Sequence, residues 1–146
     1  MGMKGRKTVL KEHMGRLDQE GLTLLIATRD GEVLFRSAGR GIAPLLEALE
    51  QVSPTRLVGS LVVDRVVGKA GALLICYFKA SEVYAGVMSR PAAEVLDRAG
   101  ISFVAGELTE AIRGCPFERA VAGLTDPEEA YRRLRSLWAQ LSSPAL

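Results

Sequence analysis

Apolar residues at Val9, Leu10, Met14 and Leu17, with charges between them, have helical spacing and predict a short amphipathic helix over Thr8–Leu17. Two β-rich runs follow, Leu22–Thr28 and Glu32–Ser37, joined through Arg29-Asp30-Gly31. Asp-Gly between such runs predicts a hairpin, because glycine accepts the positive φ of a primed turn. After the flexible junction Ser37-Ala-Gly-Arg-Gly41, Ile42–Leu49 reads as a helix with Pro44 tolerated in its first turn. Ser53-Pro54-Thr55 reads as a loop and Leu57–Val63 as a strand buried on both faces.

Asp64 then stands where a helix N-cap is expected, ahead of an almost wholly apolar helix over Val66–Tyr77. Gly68 and Gly71 inside that helix would each cost about 1 kcal/mol against alanine, which predicts a close neighbour against the backbone. A strand over Glu82–Met88 precedes a helix over Arg90–Ala99, opened by Pro91 and ended by Gly100. Ile101–Ala105 is the fifth strand, Cys115-Pro116 opens a short helix, and Asp126, with Pro127 behind it, caps the last one at Glu129. A hairpin followed by βα units implies a mixed sheet with helices on both faces. Leu134, Leu137, Trp138 and Leu141 form the packing face of the last helix, and Arg132, Arg133 and Arg135 its solvated face.

Composition narrows the function classes. The 146 residues fit one domain, here 1–146, with an N-terminal helical segment over 1–19 and a core over 20–140. Nineteen Lys and Arg against 17 Asp and Glu, with 5% aromatics, argue against a nucleic-acid surface. One histidine and two cysteines cannot build a standard structural zinc site, so no metal or other cofactor is expected. The two cysteines make no disulfide framework, and the apolar run Ala70–Phe78 is far short of a membrane span. A soluble cytoplasmic protein is the expectation.

Three motifs carry a resemblance: Gly41-Ile-Ala-Pro-Leu-Leu46, Asp64-Arg-Val-Val-Gly-Lys-Ala-Gly-Ala72 and Cys115-Pro-Phe-Glu118, followed by Pro127-Glu-Glu-Ala-Tyr131. Together they resemble a small prokaryotic family of unknown function in the cytidine-deaminase-like superfamily, over roughly Leu22–Leu137. The resemblance implies a three-layer α/β/α sandwich around a five-stranded mixed sheet, and a homodimer. Zinc deaminases place His/Cys-x-Glu and Pro-Cys-x-x-Cys at two helix starts. The corresponding junctions here, Ser37–Ile42 and Asp64–Ala70, contain neither His nor Cys, and zinc-dependent deamination is not expected.

Two helix N-termini side by side suit an anion. In one reading Arg40 and Lys69 hold a phosphate or carboxylate, Gly39 and Gly41 let the backbone approach the ligand, Gly68 is among the ligand-binding residues, and Asp64 accepts from a polar ligand group. In the other, Asp64 is an N-cap, Lys69 is paired with a carboxylate, and the glycines around Arg40 shape a loop. Cys115 at a helix start is either a nucleophile, with Glu118 positioning a partner and Lys69 assisting, or a helix-start residue whose N–H Glu118 caps. His13 is expected in solvent, and Cys76 in the core. The leading expectation is a zinc-free domain binding a small anionic or nucleotide-like ligand. A Cys115-dependent enzyme, or a structural or regulatory dimer with a vestigial pocket, are the alternatives.

Overall fold

The computed structural model describes residues 3–113 and 115–142. In chain order its elements are α1 (Met3–Glu20), β1 (Leu24–Ala27), β2 (Val33–Ser37), α2 (Ala43–Gln51), α3 (Pro54–Leu57), β3 (Leu61–Val67), α4 (Lys69–Tyr77), β4 (Glu82–Ser89), α5 (Arg90–Arg98), β5 (Ser102–Thr109), α6 (Pro116–Ala120) and α7 (Pro127–Ser142). The strands form one mixed sheet in the order β2-β1-β3-β4-β5. β1 is antiparallel to both β2 and β3, whereas β3, β4 and β5 run parallel. The hairpin turns at the expected place, with the Gly31 amide donating to Thr28 O and Gly31 at φ +99°.

Side chains alternate across the sheet, and the register shows which face each one serves. Leu24, Ile26, Val62 and Val83 join the main core with α2, α4, α5 and α7. Leu25 and Val63 point the other way, into a small cluster with Leu17 and Met14 of α1 and with Tyr84. Gly86 and Gly106 floor this second face. A Cβ on Gly86 or Gly106 would stand 2.8 Å from the carbonyl oxygen of Arg65 or Gly86 on the adjacent strand, with Met14 and Leu10 of α1 at ordinary contact distance. Glycine at both positions leaves the neighbouring strand's carbonyls clear where β3, β4 and β5 approach one another.

Several boundaries move from where the sequence placed them. The first helix is longer than Thr8–Leu17 and stops at Glu20, followed by Gly21 at φ +65°. Ser53-Pro54-Thr55 is not a loop: the Ser53 hydroxyl accepts from the Thr55 amide and opens α3, which takes in the buried Leu57. Gly59, at φ +76°, breaks the Leu57–Val63 run, so β3 starts at Leu61 and continues through Asp64 to Val67. Asp64 is therefore a strand residue paired with Leu24, not a helix cap. The β-branched valines on both sides of Asp64-Arg65 outweigh the polar pair, and Gly68 takes the cap position. β5 likewise runs past Ala105 to Thr109. Asp126 does cap α7, with its carboxylate 3.3 Å from the Glu129 amide. On α7, Ala130 and Leu134 are buried and Tyr131 stacks on Tyr77, while Leu141 is exposed. Among the described residues no helix is long and apolar enough to cross a membrane.

Candidate functional site

β2 and β3 both end at the edge of the sheet where β1 begins. Residues of the turns that follow, 39–42 and Gly68, wall a cavity of about 240 Å³ on the main-core face. Leu24, Ile42, Leu45 and Ile112 make much of its wall apolar, and Arg40, Asp64, Gly68, Cys115 and Glu118 also line it. Five of the six sequence-predicted site residues thus come together. Lys69 does not join them.

Asp64 is the buried acid of this site, 8% exposed. Its register with Leu24 turns the side chain toward the helices rather than toward α1. Among the described residues no side chain hydrogen-bonds it, and the Val66 amide approaches its Oδ1 only at 3.5 Å. Arg65 sends its guanidinium to the opposite side, 2.8 Å from Asp18 Oδ1 and 2.9 Å from Leu22 O. Burial therefore dominates, and it pushes the Asp64 carboxyl up to about 8, against weaker opposing pulls from the Val66 and Arg65 amides and the Arg65 charge.

Glu118 also lies elsewhere than the capping-box reading placed it. Its Oε2 accepts the Ala70 amide hydrogen at 2.8 Å, in the first turn of α4, instead of turning back to Cys115. A Cβ on Gly68 would overlap this carboxylate, which explains the glycine there. The α4 N-terminus already holds an anion, and it belongs to the chain itself. By contrast, α2 has no side-chain cap and no acid in its first turn, and exposed Arg40 stands just before it. Gly41 turns the loop there at φ +65°.

The remaining candidates are dispersed. Lys69 is the first residue of α4, not a second-turn residue, and its side chain faces a separate cavity of about 300 Å³ with Cys76, Glu94 and Arg98. Cys76 is half-buried rather than fully in the core, and burial pushes its thiol up to about 11. Cys115 is half-buried at the start of α6. His13 is half-buried rather than fully solvated: its ring lies 4.6 Å from that of Tyr84 on the α1 face, and burial lowers its pKa. The sheet separates it from Cys115, so a Cys115–His13 dyad does not form. Sequence reasoning missed Thr23 and Ile112 in the cavity wall. The Thr23 hydroxyl lies 2.6 Å from Gly39 O and 3.1 Å from Ser37 O, positioned to donate to the Gly39–Gly41 loop. Nothing in its local sequence marks it. Among the described residues no three His, Cys, Asp or Glu side chains converge to hold a metal ion.

Fold and site define a mixed α/β domain with an apolar cavity at one sheet end and a buried acid inside it. The chain belongs to the DUF1893 family, a domain of unknown function, whose profile matches residues 13–137. It is similar to the crystal structure of a DUF1893 family protein from Thermotoga maritima, with 32% identity over 90% of each chain and a TM-score of 0.78. No curated protein matches it.

Proposed function

We propose that this DUF1893 domain binds a small nucleotide-like ligand in the 240 Å³ cavity, with the ligand's ring inside and its anionic group at the rim. The observation that carries the reading is Asp64, a carboxyl held out of water without a side-chain partner, beside an apolar cavity. Such a group is costly unless something completes its hydrogen bonding. Arg40 and the uncapped start of α2 supply positive potential where an anion would sit. Glu118 excludes that anion from the α4 N-terminus.

The arrangement also supports a zinc-free, deaminase-like three-layer fold. A hairpin edge leads into parallel βα units, α1 covers one face, and the two helix starts offer Ile42 and Gly68 where zinc enzymes carry ligands. The nucleotide part of the proposal rests on that superfamily resemblance. A Cys115-centred reaction is less well served, since Lys69 faces the other cavity and His13 the other side of the sheet. Thermal-shift screening against nucleotides and phosphorylated metabolites tests the proposal. A stabilising ligand should lose its effect in Arg40→Ala and Asp64→Asn but keep it in Lys69→Ala. A ligand whose effect survives both site variants, or a panel without any stabilising member, refutes the reading.

A further inference from the structure

Among the described residues, the acid groups of the cavity lack cationic partners. Two carboxyl groups, Asp64 and Glu118, line it, and the cations near them are committed elsewhere or lie outside. Arg65 is tied to Asp18 and Leu22 behind the sheet, Lys69 faces another cavity, and Arg40 is exposed at the rim. Glu118 is partly satisfied by the Ala70 amide, whereas Asp64, more than nine-tenths buried, meets only the Val66 amide, at 3.5 Å, and the Arg65 amide, and no side chain among the described residues. An anion driven inward would meet two acids. A divalent cation would find only two carboxylates, short of the usual oxygen ligand set. The missing partner is a compact group that donates hydrogen bonds, carries positive charge and tolerates apolar walls.

Resting on the proposed ligand site, we propose that the buried end of the ligand is an amidinium or guanidinium group, paired through two parallel N–H donors with Asp64. The planar fork of such a cation matches a carboxylate bidentately, and it is less strongly hydrated than an ammonium, which suits a wall of Leu24, Ile42, Leu45 and Ile112. The ionisable groups around the bound cation are Asp64, Glu118 and Cys115, with Arg40 at the rim and the charge of Arg65 acting on Asp64 from behind the sheet. Because burial favours the protonated form of Asp64, pairing with a cation expels that proton to solvent.

Benzamidine and its neutral counterpart benzamide are the probes, followed by amide NMR shifts and calorimetry on the full chain. Benzamidine should perturb the Val66, Gly68, Ala70 and Gly71 amides and bind at least tenfold more tightly than benzamide. Its affinity should rise with pH up to about 8, with proton release seen as a dependence on buffer ionisation heat. Asp64→Asn should abolish the preference for benzamidine, and Glu118→Gln should weaken it; circular dichroism verifies that each variant is folded. Equal binding of the two probes, a preference that survives Asp64→Asn, or perturbations confined to other surfaces would overturn the inference. Should nucleotides occupy the cavity while benzamidine shows no preference, only this inference fails. If no probe perturbs the cavity, the ligand-site reading fails with it.

Discussion

Glu118 and Ala70, 48 positions apart in sequence, are joined by one charge-assisted hydrogen bond of 2.8 Å across the mouth of α4. The bond ties α6 and the segment before it to the helix that follows β3. It is possible because Gly68 leaves the carboxylate its space. Gly68→Ala should expel Glu118 and cost about 1–3 kcal/mol, the range for leaving a buried donor, here the Ala70 amide, without its acceptor. Glu118→Ala should cost a similar amount. A double-mutant cycle in urea should show strong non-additivity, because both changes remove one interaction. Additive losses would mean that the two residues act separately.

Asp64 sets a pH dependence of unusual sign for a carboxyl. Its native pKa, about 8, lies above the ordinary value of 3.8. Between those values the native protein keeps a proton that the unfolded chain has released. Stability from this group is therefore full below about pH 4, falls as pH rises, and levels off above about 8. Asp64→Asn should remove the slope and raise stability by at least ~1 kcal/mol at pH 8–9, on the scale of 1.36 kcal/mol per pKa unit. Urea midpoints at about pH 5, 7 and 9 give the comparison.

His13 works in the opposite sense. Burial lowers its pKa below 6.5, ahead of a smaller upward pull from Glu12, a downward one from Arg16 and an upward one from Glu82. The unfolded chain takes up a proton that the native ring resists, so stability falls as pH drops through and below 6.5. His13→Phe should keep the contact with Tyr84 and flatten this acid limb. It should leave benzamidine binding unchanged, because the sheet stands between.

The two cysteines should separate by alkylation. With its thiol pushed up to about 11, on the order of one Cys76 in a thousand is ionised at pH 8. Iodoacetamide followed by peptide mass spectrometry should therefore label Cys115 first. Benzamidine should slow labelling at Cys115, which lines the cavity, and not at Cys76, which faces the Lys69 side.

Local chemistry made much of the fold readable. Asp30-Gly31 marks a hairpin wherever it is met, and Pro91 with Gly100 brackets a helix by backbone geometry alone. The site was readable as a set of residues but not as an arrangement. Reading α4 from Val66 puts Lys69 in a second turn, whereas 66–67 are strand, Lys69 is the first helical residue and it faces the other cavity. Asp64 looked like a cap because a lone acid before an apolar run commonly is one. Only its pairing with Leu24 across β1 shows that it faces inward. The partner of Glu118 lies far away in sequence, and no local pattern encodes such a meeting.

The uneven covering of the sheet also divides the molecule dynamically. α1 is held through the small cluster of Leu17, Leu25 and Val63 and the shallow bed over Gly86 and Gly106, whereas the cavity walls belong to the main core. Local opening follows buried contact density. α1 should therefore exchange its amide hydrogens sooner than α4, as a separate unit of unfolding, while the cavity on the far side keeps its shape.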